Sequence, residues 1–293
     1  MTGELAALAA ALSFGISIVL ARRFMVAVPP EAGVLVSIAV NVVVFTALLT
    51  GAGLTGRLPP IHPWSVVLFV VGGLAGTLVG RNLSYASIGR LGASLATTVR
   101  LSNSIFTLLT GFLLLQELPR PQQLAGLVAV TLGLWISLRP SGTEGASRRS
   151  ADPRGVAMAL GGAAAFALGD TARRAGLQLT PAPVLGAAVG ACTALAAHLV
   201  WSVFHRAARW PQPALLWRFD LLGSAVMNTA AILLLYVGLR YAPVAIVSVL
   251  YNLQVLVVLL ASPLLLHGRE RITAWLVLGA LVALGGTALI LMG

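Results

Sequence analysis

Residues 85–137 read YASIGRLGASLATTVRLSNSIFTLLTGFLLLQELPRPQQLAGLVAVTLGLWIS, and residues 241–290 read YAPVAIVSVLYNLQVLVVLLASPLLLHGRERITAWLVLGALVALGGTALI. Both stretches follow one plan: a long apolar run, a short hairpin holding one acid (Glu117 or Glu270), and a second apolar run with internal glycines. A helix of about 20 apolar residues crosses a hydrocarbon core roughly 30 Å thick. Each stretch therefore predicts two membrane-crossing helices joined by a tight polar turn.

The rest of the chain follows suit. Of its 293 residues 58% are hydrophobic and 9% charged, against about a quarter charged in soluble domains, so polar groups are too few to coat a soluble globule. Hydropathy and breakers predict helices at 3–21, 32–50, 64–86, 91–115, 122–138, 154–173, 182–204, 215–239, 243–266 and 272–292. The fold class is thus an all-α membrane protein of about ten transmembrane helices, multi-pass in the cell membrane. Met1 to Ala21 is expected to be the first retained helix, because the arginines follow its apolar stretch and do not precede it.

The second half repeats the first. At an offset of 151, Ala21-Arg22-Arg23 aligns with Ala172-Arg173-Arg174, Tyr85 with Tyr236 and Leu113-Leu114-Leu115 with Leu264-Leu265-Leu266. After a two-residue insertion, Glu117 matches Glu270, Gly126 matches Gly279 and Gly133 matches Gly286. The expected units are residues 1–140 and 154–293, joined by a Ser-, Gly-, Pro- and Arg-rich linker at 141–153. Five helices per unit is an odd number, so the copies should enter the membrane in opposite directions, as inverted repeats do in secondary transporters.

The two stretches quoted above resemble the end of an EamA-type repeat in the drug/metabolite transporter superfamily: a small-residue helix, an apolar run, a short acidic hairpin (Gln116-Glu117; Arg269-Glu270-Arg271) and a Gly-containing final helix. The resemblance extends over nearly the whole chain and implies a ten-helix transporter. It differs from the pattern in one respect. Members often carry proline in the fourth and ninth helices, whereas here Pro263 lies late in the ninth and the fourth has none.

Charge narrows the function. All 19 basic residues are arginine and only 8 residues are acidic, for a net charge of +11. The arginines sit singly or in pairs at the ends of apolar runs, as in Arg22-Arg23, Arg148-Arg149 and Arg173-Arg174, which suits headgroups and not nucleic acid. Outside Arg81 and Arg100, 5 fall on the side of the N-terminus and 12 on the other. The positive-inside rule then puts both termini outside, whereas the resemblance implies cytoplasmic termini. The single cysteine, Cys192, excludes an internal disulfide and a cysteine zinc site.

Two residues break the apolar pattern most sharply. Arg100 lies mid-helix, where a guanidinium costs roughly 2.5–3.5 kcal/mol to insert, so it should face a wet cavity or a partner. At helical spacing it shares a face with Thr97, Ser104 and Thr107, with Asn103 beside them, and this stripe is expected to line a solute pathway. Arg81, with Tyr85 one turn on, either joins that cavity or snorkels to headgroups. Two arginines in one cavity would favour an anion or a carboxylate-bearing solute.

From the second half Tyr251, the equivalent of Arg100, together with Asn252, Asn228 and Tyr236, completes the candidate substrate-binding set. Asp170 and His198 are the candidates for proton coupling, although Asp170 stands at ion-pair spacing from Arg173 and Arg174, which favours a structural pair. Small residues four apart, Gly72-Gly76-Gly80 and Gly186-Gly190-Ala194, point to close helix approach.

HExxH, GxSxG and clustered acids are absent from the sequence, and no catalytic or metal site or cofactor is expected; a P-loop would need a lysine. The sequence thus points to a secondary transporter, an exporter of amino acids or related small metabolites by alternating access, acting as a monomer or homodimer. The alternatives are a membrane-embedded lipid-handling enzyme and an energy-independent channel.

Overall fold

The computed structural model describes residues 2–54, 59–115, 121–138, 152–205, 218–242, 244–266 and 272–292. The hairpins at Gln116-Glu117 and 269–271, and all but the last two residues of the expected linker, lie outside the described residues. All regular structure among the described residues is helical. We number the helices α1 (Thr2–Phe24), α2 (Pro30–Leu54), α3 (Pro63–Leu91), α4 (Ala93–Val99, Arg100–Ser102 and Asn103–Leu115), α5 (Pro121–Ser137) and α6 (Pro153–Leu179). Then follow α7 (Pro183–His205), α8 (Phe219–Tyr241), α9 (Val244–Asn252 and Gln254–Leu266) and α10 (Ala274–Met292).

Ten spans are expected from the sequence; by length and apolarity seven of the described helices qualify, namely α1, α2, α3, α6, α7, α8 and α9. α4 is divided by a 3-10 turn at Arg100, α5 has 17 residues, and α10 is apolar along its whole length from Ala274 to Met292.

Helix starts follow simple chemistry. Proline is the first residue of α2, α3, α5, α6 and α7, where its missing N–H has no intrahelical partner to lose. The side chains of His62 and Asp152 cap α3 and α6 by accepting the amides of Trp64 and Arg154. Between α3 and α4 the chain turns at Gly92, whose φ of 89° is open to glycine and strained for other residues. α3 reaches this turn without a stop, five residues beyond the expected end, and is wound as a π-helix over Gly73–Gly80.

The bundle is apolar outside and polar within. Leu260 and Leu264 are 74% and 75% exposed, whereas Arg173 is 2% exposed; an outer surface of this kind suits lipid and not water. Exposed tryptophans at helix ends (Trp64, Trp135, Trp201, Trp275) sit where indoles anchor to membrane interfaces.

The two halves interlock symmetrically. α1 packs on α8 and α9, and its counterpart α6 packs on α3 and α4; α2 packs on α7 and α5 on α10. Ser17 and Ser224 tie α1 to α8 reciprocally, each hydroxyl donating to the other's carbonyl at 2.8 and 2.9 Å. At the α5–α10 seam a methyl on Gly133 would sit 2.5 Å from the Gly279 carbonyl oxygen, and one on Gly286 2.7 Å from that of Gly126. Those four glycines are the pairs aligned in the repeat. This exchange of partners between halves fits two inverted copies of one unit.

One further tie lies outside the bilayer-spanning parts. Asp152, already capping α6, accepts a bond from Arg90 at 3.1 Å and so pins the end of α3 to the start of α6. That bond, with the backbone amides, holds the Asp152 carboxyl below its usual range. A depressed carboxylate contributes stability that is complete above its unfolded value, near 3.9, and is lost as pH falls through its folded value. Acid titration should therefore loosen this end of α6 only below about pH 4, and Asp152→Asn should remove that part of the pH dependence of thermal unfolding with a small loss of stability at pH 7.

Candidate functional site

Between the halves lies a narrow cavity of about 30 Å³. α1, α3 and α4 line it from one half, and α6, α8 and α9 from the other. These six are equivalent in pairs, so the cavity straddles the pseudo-two-fold axis.

Arg100 sits close to that axis. α4 changes to a 3-10 turn at Arg100–Ser102, and α9 is interrupted at the equivalent Leu253, whose amide bonds back three residues to Leu250. Neither break needs a proline; they stand at matching points of the repeat. The guanidinium donates to the Tyr251 hydroxyl at 3.0 Å and lies 4.9 Å from the Phe166 ring centre and 5.4 Å from that of Tyr251. Arg100 and Tyr251, 151 residues apart, are repeat equivalents that meet each other.

The 3-10 turn shifts the phase of α4, so the expected polar stripe is split. Thr97 bonds back to the Ala93 carbonyl, Asn103 accepts from Thr107, and Ser104 donates to Thr287 while accepting from Asn252. All four residues, Thr97, Asn103, Ser104 and Asn252, are buried in helix contacts and do not line the cavity.

Arg81 does not snorkel. It is 4% exposed, lines the cavity and donates to the Ser37 hydroxyl at 3.1 Å. With its amide oxygen turned toward Arg81, Asn41 accepts from both terminal nitrogens at 3.2 Å and donates to the Ser37 carbonyl and Thr229 hydroxyl, which satisfies every group.

The third guanidinium belongs to Arg173. The sequence pattern puts it at a helix end, but α6 continues six residues past it with no breaker before Thr180-Pro181, so it points into the bundle. It donates to Asp170 at 2.6 Å, to the Gly72 carbonyl at 3.0 Å and to Thr77 at 2.9 Å. The glycine stripe on α3 makes room for it: a methyl on Gly76 would lie 2.6 Å from its Nη2. Arg174 takes the headgroup-side role instead, donating to the carbonyls of Leu239 and Arg240.

Tyr85 and Asn228 complete the wall. The Tyr85 hydroxyl and the Asn228 side-chain oxygen are buried without a hydrogen-bond partner, and both residues line the cavity. Tyr236, the repeat equivalent of Tyr85, is turned away and donates to the Gly186 carbonyl at 3.0 Å. His198 is buried on α7 and faces no part of the cavity.

The structure thus brings Arg100, Arg81, Tyr85, Asn228, Tyr251 and Asp170 to one cavity. It adds Arg173, Phe166 and Thr77, which sequence reasoning missed. Only Arg173 carried a usable signal, the i to i+3 spacing from Asp170.

A model of the EamA-like transporter family matches residues 1–139 and again residues 153–292. Among solved structures 26 chains match. One, described only as "Crystal structure of protein", is 20% identical and superimposes with a TM-score of 0.65 over 98% of this chain and 95% of its own; the likeness is one of fold. No curated protein matches this sequence.

Proposed function

The chain belongs to the EamA-like transporter family, and from that premise we propose that it is a secondary transporter exporting amino acids or related small metabolites by alternating access. In this reading the ten helices all span the membrane, as inverted repeats 1–140 and 154–293. The observation that supports it is the cavity on the pseudo-two-fold axis, holding three arginines and one aspartate among apolar side chains and walled by equivalent helices of both halves. Small residues at the α3–α6 and α3–α7 seams, where methyls on Gly169 and Gly73 would strike the opposing backbone, suit halves that rock past one another without unlocking long side chains.

Counterflow tests the reading. Vesicles reconstituted with the protein and loaded with one unlabelled amino acid should transiently accumulate the same labelled solute from outside, saturably, and cells expressing the protein should hold a smaller internal pool of it. Linear flux without counterflow would instead identify a channel, and no exchange of any amino or organic acid would refute transport of this class.

A further inference from the structure

We propose that the cavity selects a small organic anion with two acidic groups and one hydrogen-bond donor, and that Arg100 is its anchor. The inference deepens the transport reading and rests on it.

The charge balance is the first argument. Arg81, Arg100 and Arg173 line the cavity, and among the described residues that line it only Asp170 is acidic. Asp170 is committed to Arg173 at 2.6 Å. Arg81 has only neutral partners, Ser37 and Asn41. Arg100 has one, the Tyr251 hydroxyl. An excess of two positive charges in a membrane interior is costly, and two carboxylates entering together offset it where a zwitterion with one carboxylate or a cation does not.

Geometry is the second argument. The Arg100 guanidinium lies against two aromatic rings and spends one of its five N–H groups on Tyr251. The remaining in-plane donors suit a bidentate carboxylate. The orphaned groups are the third. The Asn228 oxygen can only accept and the Tyr85 hydroxyl can do either, so a hydroxyl or ammonium on the solute would satisfy a buried acceptor that the protein leaves bare.

Purified protein in phosphatidylcholine nanodiscs tests this with malate, succinate, aspartate, inorganic phosphate, leucine and putrescine as probes. Malate and aspartate should bind at least about tenfold tighter than leucine, and succinate, which lacks the donor, weaker than malate. Putrescine should not bind. Arg100→Gln should weaken malate at least about tenfold, with Arg100→Lys in between. Asn228→Leu, which removes an unpartnered group and no internal bond, should bring malate and succinate together.

Leucine or putrescine binding as tightly as malate would overturn the proposal, as would an unchanged malate affinity in a folded Arg100→Gln variant or the absence of binding by every anion. Phosphate binding more tightly than malate, or displacement of malate by phosphatidylglycerol in the disc, would reassign the site to phosphate or to a lipid headgroup and overturn it too. Malate binding without malate counterflow would refute transport and leave the anion site standing; leucine counterflow without anion binding would do the reverse.

Discussion

Asp170→Ala should lower the melting temperature of the detergent-solubilised protein by on the order of 10 °C. The substitution leaves Arg173, 2% exposed, with a carbonyl, a hydroxyl and an aromatic face but no anion. Removing one partner of a buried ion pair costs roughly 3–5 kcal/mol, and each kcal/mol moves the melting point of a protein this size by about 2–4 °C. Arg173→Met strands the carboxylate and should cost a similar amount. The double variant Asp170→Ala/Arg173→Met strands no charge and should melt well above either single one. If the losses simply add, the pair is not coupled and Arg173 owes its place to Gly72 and Thr77 alone.

The second large effect is expected at the α5–α10 seam. A methyl on Gly133 would lie 2.5 Å from the Ala283 nitrogen and the Gly279 oxygen. Those are backbone atoms, which cannot swing aside, so the helices must separate. Overpacking of this kind costs about 1–3 kcal/mol, which outweighs the gain of about 1 kcal/mol from replacing glycine with alanine in a helix. Gly133→Ala should therefore lower the melting point by several degrees, and Gly133→Leu should prevent α5 and α10 from closing. Gly285 is the internal control. It lies on α10 with open space where its methyl would go, so Gly285→Ala should be neutral or stabilising. A Gly133→Ala protein as stable as Gly285→Ala would mean that α5 and α10 are not in contact.

The large features were legible because the bilayer imposes long apolar runs, against which the mid-helix Arg100 stands out, and because matched residues at an offset of 151 preserve the repeat. The site was half legible. Arg81 and Arg100 stand out against apolar neighbours and both reach the cavity, and Tyr251 was found through its alignment with Arg100.

Helical spacing failed around Arg100 because it presumes an unbroken α-helix. The 3-10 turn at Arg100–Ser102 rotates Thr97, Asn103 and Ser104 into contacts elsewhere, and no local residue announces the break. Arg173 was missed for another reason. Its alignment with Arg22 suggested a shared topological role, yet in the first half Arg22 bonds the carbonyls of Ile88 and Gly89 and in the second Arg174 bonds those of Leu239 and Arg240. The job slipped by one residue, which freed Arg173 to turn inward. A repeat alignment records descent; which side chain turns inward is decided by its neighbours, here Gly72, Gly76 and Asp170.

The claim on which the account depends is that this cavity meets water on each side of the membrane in turn. Ile232 lines it and is 5% exposed, and Cys192 is the only native thiol. An Ile232→Cys protein on a Cys192→Ser background, sealed in vesicles, can be challenged with a membrane-impermeant thiol reagent from outside or from the lumen. The account predicts modification from both sides, slowed from both by the transported solute. Modification from one side alone, or from neither, would contradict it.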